Sequence, residues 1–406
     1  MKIFIELNYN PYSIFCQIHL IFAPDFNIII YMKNRCRALT ILLFLTTLIA
    51  CCFLGASLKA YMEAVPLKDK ALFYPAQYYK RLADGILCTL CPKYCFLPEG
   101  QRGECWVRVN TANRLYTLVY GQPCSVHVDP IEKKPVFHLL PASRAFSIAT
   151  AGCNLKCSFC QNWEISQAKP ENVLSKPLPP QEVIKQAKLS RCESIAYTYT
   201  EPVVFYEYML ETAKLAKENG IRNVLVSCGY INPEPFRKLL PYLDIVKIDL
   251  KGFNENFYRK VCGAELKNVL ASLKLAHTEG KMVEIVNLII PTLNDNPQEI
   301  REMAKWIYQN LGPDVPLFFS RFTPQYRLTN LPPTPVSTLE KARDIAIQEG
   351  LNYVYIGNVP GHPAENTYCP RCKKIVIGRI GYYVNENNIK NGKCKFCGLA
   401  IPGIWE

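Results

Sequence analysis

The 406-residue chain has no internal repeat and no low-complexity tract, which excludes a repeat array or a long disordered linker as its main architecture. It has no long basic run with interleaved aromatics either. Its formal net charge of +13 is therefore weak support for nucleic-acid binding, since anionic cofactors or a membrane surface suit a basic protein as well. Charged residues make up only 20% and hydrophobic ones 49%, which is enough apolar material for one large domain with smaller modules.

What is abundant is cysteine, with 19 residues. Eleven of them fall into three tight sets with metal-ligand spacing, which points to metals and a reducing compartment rather than to a disulfide framework. The most informative set is Cys153, Cys157 and Cys160, in C-N-L-K-C-S-F-C. Three thiolates on one loop suit a cubic iron–sulfur cluster and leave one of its irons open. Zinc prefers four ligands in paired C-x2-C units. Here the next residues are Gln161, Asn162 and Trp163, and no fourth cysteine or histidine is close. The apolar stretch 145–150 reads as a buried strand that enters the loop through Ala151-Gly152.

The second set, Cys88, Cys91, Cys95 and Cys105, is spaced C-x2-C-x3-C-x9-C, with Gly100 and Gly103 near its end. Four ligands close a site for zinc or for a second iron–sulfur cluster, and the tight first three lean towards iron–sulfur. Cys124, His127 and His138 read as core residues, with a further ligand set as the alternative. The third set, Cys369, Cys372, Cys394 and Cys397, forms two C-x2-C knuckles with 21 residues between them. It reads as a zinc ribbon or rubredoxin-like site that staples a small tail; redox iron is the alternative.

Residues 1–59 are an N-terminal segment. Its stretch 38–57 is apolar, uncharged and long enough to cross a bilayer as a helix. Lys33, Arg35 and Arg37 precede it, as in a signal peptide or signal anchor, and Leu48-Ile49-Ala50-Cys51 resembles a lipobox. The expectation is membrane association through a single helix or a lipid anchor, with a cytoplasmic protein as the alternative. Met32 stands just before this pattern and competes with Met1 as the start. Residues 60–85 read as a linker with some helix, 86–143 as a four-cysteine module, 144–360 as the core and 366–406 as a four-cysteine tail.

In the core, strands are expected at 194–200, 223–227, 245–250, 283–289, 317–322 and 352–356, and helices at 204–219, 298–310 and 336–349. With the strand before the cysteines this gives six or seven parallel strands. The fold class is α/β, a partial (β/α)6 barrel with its active site at the carboxyl ends of the strands; a doubly wound sheet is the alternative. Glu201 sits at such a strand end, where it could equally favour a helix N-terminus by its charge. Asp249 and Lys251 are two apart, so both face one side of a continuing strand; a surface ion pair is the alternative. Glu284, Asn287 and Arg321 are weaker candidates.

The C-x3-C-x2-C loop resembles the cluster loop of the radical S-adenosylmethionine (radical SAM) superfamily. The segments C-T-L-C-P-K-Y-C, G-Q-R-G-E-C, V-Y-G-Q-P-C-S-V-H-V-D-P-I-E-K-K-P-V-F-H, A-G-C-N-L-K-C-S-F-C-Q-N-W-E-I-S-Q and Y-T-Y-T-E-P, with the final C-P-R-C knuckle, resemble one group more closely. It is the radical SAM member of the AmmeMemoRadiSam system, which is similar to pyruvate-formate-lyase-activating enzymes. The resemblance implies a radical SAM barrel with a [4Fe–4S] cluster on Cys153, Cys157 and Cys160. The open iron would chelate S-adenosylmethionine, whose reductive cleavage gives a 5′-deoxyadenosyl radical that abstracts hydrogen from an unidentified substrate. It implies Glu201 at the methionine amino group, although the family carries Gly-Gly-Glu-Pro where this chain has Thr-Glu-Pro. It implies Asp249 and Lys251 at the ribose and carboxylate, in a segment similar to that of glycyl-radical-enzyme activases. The implied partners are an electron donor such as flavodoxin or ferredoxin, and AMMECR1-like and Memo-like proteins. The apolar N-terminus departs from the usual cytoplasmic pattern of the group. Two other readings compete: an iron–sulfur electron-transfer or metal-carrier protein without radical chemistry, and a membrane-tethered scaffold with zinc modules.

Overall fold

A computed structural model describes residues 73–406, together with the backbone of three short strands, Lys2–Ile5, Ile18–Phe22 and Ile28–Met32, which pair antiparallel in that order. Met1–Lys70 and Ala71–Glu406 are separate compact units. The transmembrane helix expected from the sequence is withdrawn. Among the described residues no helix is long and apolar enough to cross a membrane. The longest of them, Pro297–Leu311, has 15 residues, and at 1.5 Å per residue it reaches roughly 22 Å against a hydrocarbon core of about 30 Å. The stretch 38–57 itself, with its lipobox-like Cys51, lies outside the described residues.

The core is one eight-stranded sheet. Its strands are β1 (Ser125–Pro130), β2 (Arg144–Ala149), β3 (Ser194–Tyr197), β4 (Arg222–Ser227), β5 (Ile245–Asp249), β6 (Met282–Ile289), β7 (Leu317–Arg321) and β8 (Val354–Gly357). β1 runs antiparallel to β2, and β2 to β8 are parallel in strictly sequential order. Helices α1 (Pro180–Leu189), α2 (Tyr206–Glu218), α3 (Pro233–Leu239), α4 (Leu266–Thr278), α5 (Pro297–Leu311) and α6 (Val336–Gln348) fill the six gaps between the parallel strands. Sequential order has no switch point, so the doubly wound alternative is excluded. The parallel strands are apolar runs because both of their faces are covered; β3 (Ser-Ile-Ala-Tyr) is buried throughout.

Local chemistry sets the ends of these elements. In α5, Asn296 accepts the Gln298 N–H as N-cap, Pro297 opens the first turn, and Ile300, Met303, Ala304, Ile307 and Leu311 form the buried stripe. The strand expected to reach residue 200 stops at Tyr197. Tyr199 takes φ +63° and the Thr200 N–H turns back to the Thr198 carbonyl at 2.8 Å, which swings Glu201 inward.

The set Cys88, Cys91, Cys95 and Cys105 belongs to a module with two small three-stranded antiparallel sheets; Cys88 ends one strand and the other three lie in loops and turns. The described part of the expected helical linker is strand instead: Tyr79–Leu82 pairs with Gly85–Cys88, so its hydrogen bonds are made across a hairpin. The tail carries Ile375–Ile380 and Tyr383–Asn387. It packs on the core sheet through Val376 and Ile401 against Phe137, Phe318 and Tyr355.

Candidate active site

The site lies at the carboxyl ends of the parallel strands. β2 leads through Thr150 and Ala151 to Gly152, at φ +93°. A Cβ there would lie 2.5 Å from the Cys105 carbonyl oxygen and 2.6 Å from Val107 Cγ1, so only glycine lets the strand turn into the cysteine loop against its neighbour. Leu155 and Phe159 are buried and anchor the loop. Its backbone is tied to the π-helical turn Tyr258–Cys262: Lys156 N–H donates to the Cys262 carbonyl at 2.8 Å and Ser158 N–H to that of Val261 at 2.9 Å.

Cys153, Cys157 and Cys160 all line one cavity of about 380 Å³, together with Glu201, Asp249 and Lys251. These sequence candidates thus converge from two strand ends and the loop. Cys153 Sγ accepts the Leu155 N–H at 3.3 Å, and Cys160 Sγ is 3.1 Å from Ser166 Oγ. The Cys262 thiol meets that of Cys157, and this contact together with burial pushes the Cys157 thiol pKa well up. Burial raises Cys153 and Cys160 as well. Buried thiols of this kind ionise readily only with positive charge beside them, which a metal supplies.

Glu201 is buried. It accepts from Ser227 Oγ at 2.6 Å, the Cys228 N–H at 2.7 Å and the Val203 N–H at 3.2 Å. Both of its oxygens are fixed, and burial raises its carboxyl despite these bonds. Asp249 accepts from Lys251 Nζ at 2.7 Å and from Lys247. Burial opposes ionisation there, but the two ammonium groups hold the Asp249 carboxyl well below the usual range.

Lys247 was not singled out in the sequence. It is buried between apolar neighbours in β5, and its position two residues before Asp249, on the same face, was the available signal. A second group was also missed. Lys134 is buried, reaches Asp129 at 2.6 Å and the Tyr199 hydroxyl at 3.2 Å, and lines the cavity. The lining therefore carries Lys133, Lys134, Lys247 and Lys251 against Glu201 and Asp249, a cationic excess.

The weaker candidates brace the sheet instead. Glu284 accepts the Phe137 and His138 N–H groups, both at 3.0 Å. Asn287 donates to the Leu250 carbonyl at 2.7 Å, and Arg321 Nε to that of Thr334 at 2.9 Å. His138 is fully buried between the Tyr355 hydroxyl and the Pro402 carbonyl. His127 packs edge-on against Tyr199, and Cys124 is half-buried.

The two flanking cysteine sets differ in geometry. The thiols of Cys369, Cys372, Cys394 and Cys397 all lie within 4.8 Å of one another, the compact form of a single tetrahedral ion. Cys88, Cys91, Cys95 and Cys105 surround a small enclosed void that they share with Arg108 and Asn154.

Residues 147–307 match the radical SAM superfamily. The uncharacterized protein MJ0808 of Methanocaldococcus jannaschii is 47% identical over 329 residues, which is 80% of this chain and 98% of that protein. The pyruvate formate-lyase-activating enzyme of Clostridium pasteurianum is 28% identical over 167 residues, 38% of this chain and 66% of that enzyme. Among solved structures, a radical SAM methyltransferase from Sphaerobacter thermophilus aligns with TM-score 0.42 and 17% identity over 52% of this chain and 66% of its own. The chain belongs to the radical SAM superfamily, in one family with the Methanocaldococcus protein, and it is a radical SAM enzyme. Membership implies a [4Fe–4S] cluster, S-adenosylmethionine and an electron donor.

Proposed function

We propose that the enzyme is an oxidoreductase of the activating-enzyme type, built on a partial (β/α)6 barrel, which takes a hydrogen atom from a peptide segment. Cys153, Cys157 and Cys160 would hold the cluster. Asp249 and Lys251 would orient the ribose and carboxylate of S-adenosylmethionine, and Glu201 its amino group. When bound, cluster and cofactor supply a one-electron cleavage that yields methionine and a 5′-deoxyadenosyl radical. The protein's part is to fix the cofactor and exclude water. The observation that carries this reading is the cavity in which all six residues meet. Its volume of about 380 Å³ lies near the floor of the roughly 300–1,000 Å³ range of ligand sites. Cluster and cofactor would share that space, and the similarity of the Asp249-Leu250-Lys251 segment to glycyl-radical-enzyme activases supports a glycyl-radical-activase-like reaction. The finer subfamily, the AmmeMemoRadiSam group with AMMECR1-like and Memo-like partners and a flavodoxin or ferredoxin donor, belongs to the same proposal and is supported by the motifs quoted above.

The test is anaerobic. Cluster-loaded, dithionite-reduced protein should turn S-adenosylmethionine into 5′-deoxyadenosine, and Cys157→Ala should abolish this. A fully loaded protein that forms none would sink the reading in favour of an electron carrier.

A further inference from the structure

We infer that Cys88, Cys91, Cys95 and Cys105 hold a second [4Fe–4S] cluster that passes electrons to the first. The inference takes its electron acceptor from the proposed function; its iron does not depend on that reading.

The void among these four thiols is about 20 Å³. That is enough for a water molecule, which needs roughly 10–15 Å³ by the same measure. Zinc holds each sulfur at about 2.3 Å and leaves no such space between them. The tail shows what a single-ion site looks like in this chain, with Cys369 and Cys397 sulfurs 3.5 Å apart and those of Cys372 and Cys394 3.7 Å apart. Among the described residues only the tail set brings its sulfurs within 4.8 Å of one another, so the four thiols here stand wider apart, as a core of irons and sulfides with one thiolate at each corner requires, and that core would open the void further.

The surroundings suit a charged cluster. Arg108 is fully buried and donates to Cys88 Sγ at 3.6 Å, while its other amino group pairs with buried Glu207. Four thiolates around iron leave net negative charge, and a buried charge needs a partner. A guanidinium N–H on a ligand sulfur also tunes the reduction potential.

Position indicates the role. Asn154 lines the void, and it directly follows Cys153 of the radical loop. Gly152, directly before Cys153, packs on the Cys105 carbonyl. Both chain neighbours of one radical-cluster ligand thus touch the second site. The redox step is a single electron with no proton: the reduced second cluster is oxidised by one electron, and the radical-loop cluster is reduced by one. A low-potential one-electron donor replenishes the second cluster.

The full chain is reconstituted anaerobically, and iron, sulfide and zinc are counted beside the triple variant Cys153→Ala/Cys157→Ala/Cys160→Ala and the double variant Cys91→Ala/Cys95→Ala. Wild type should hold about eight irons and each variant about four. The triple variant should keep the spin-resonance signal of a reduced [4Fe–4S] cluster without cleaving S-adenosylmethionine. In the double variant the remaining cluster should be reduced by dithionite severalfold more slowly. One zinc beyond that of the tail, with all iron lost in the triple variant, would overturn the cluster. An unchanged reduction rate in the double variant would overturn the relay. If the double variant does not fold, the iron count of the triple variant still decides the first point. Eight irons in a wild type that cleaves no S-adenosylmethionine would support the second cluster and sink the proposed function alone.

Discussion

Replacing Gly152 with alanine should uncouple the cysteine loop from the module behind it. Two costs add. At φ +93° an L-residue is strained by roughly 1–2 kcal/mol. The new methyl would meet the Cys105 carbonyl oxygen at 2.5 Å and Val107 Cγ1 at 2.6 Å. Comfortable carbon contacts begin near 3.5 Å, so one backbone must retreat by about 1 Å. Overpacking of this kind costs about 1–3 kcal/mol. The sum of about 2–5 kcal/mol is below the roughly 5–15 kcal/mol that holds a domain together, so the protein folds but melts several degrees lower. The retreat moves Cys105, Cys153 or both, so iron per chain and 5′-deoxyadenosine yield should fall out of proportion to stability. Gly220 supplies the control: its φ is +71° and nothing lies within 4 Å of an added Cβ. Gly220→Ala should show the strain cost alone, with full iron. Indistinguishable iron content and melting in the two variants would refute the close-approach argument.

Lys251→Met removes one of the two ammonium groups on Asp249; calorimetric binding of S-adenosylmethionine to the oxidised, cluster-loaded protein should weaken by roughly tenfold or more. Cys372→Ser should lower the melting temperature and release the tail ion while the radical-loop iron stays, as read by elemental analysis. Burial lowers the pKa of His138 from 6.5 to about 3 and raises that of Glu284 from 4.5 to about 7. Between about pH 3 and 6.5 the unfolded chain binds a proton that folded His138 refuses, so this group's stability is lost as pH falls; between about 4.5 and 7 folded Glu284 keeps a proton that the unfolded chain releases, so its stability is lost as pH rises. The two slopes oppose each other from about pH 4.5 to 6.5, and denaturation of His138→Asn should uncover the Glu284 slope there, at up to about 1.4 kcal/mol per pH unit.

The cysteine loop was legible because its candidate ligands are local in the chain: a nine-residue window carries all three thiols and the glycine turn. Asp249 and Lys251 were legible because strand alternation places both on one face. Lys247 lies on that same face but is surrounded by apolar neighbours, and an isolated lysine in a buried strand gives no local pattern. The Asp129–Lys134–Tyr199 group was out of reach for another reason. Its members come from the antiparallel edge strand, the turn after it and the end of β3, and only folding brings them together. Glu201 was placed at a strand end, but its engagement with Ser227 and Cys228 depends on the next strand. The strand content of 73–85 was read as linker because strands as short as Tyr79–Leu82 hold their shape by pairing with a hairpin partner.

The tail is more than a stapled appendage. Its hairpin turn carries Tyr382, which lines the main cavity, while Ile380 and Tyr383 stand exposed beside it. The tail is fixed to the core by Arg379, fully buried, whose guanidinium donates to the Phe137 carbonyl at 2.9 Å and to Thr367 Oγ1 at 2.8 Å. Phe137 in turn is held through its N–H by Glu284 on β6. A continuous chain of buried polar contacts therefore runs from the sheet to the strand Ile375–Ile380, which leads into the turn with Tyr382. The cysteine knuckles and this hairpin belong to one tail, and the hairpin turn supplies Tyr382 to one wall of the cavity. The four-cysteine tail, remote from the cysteine loop in sequence, thus contributes to the wall of the cavity.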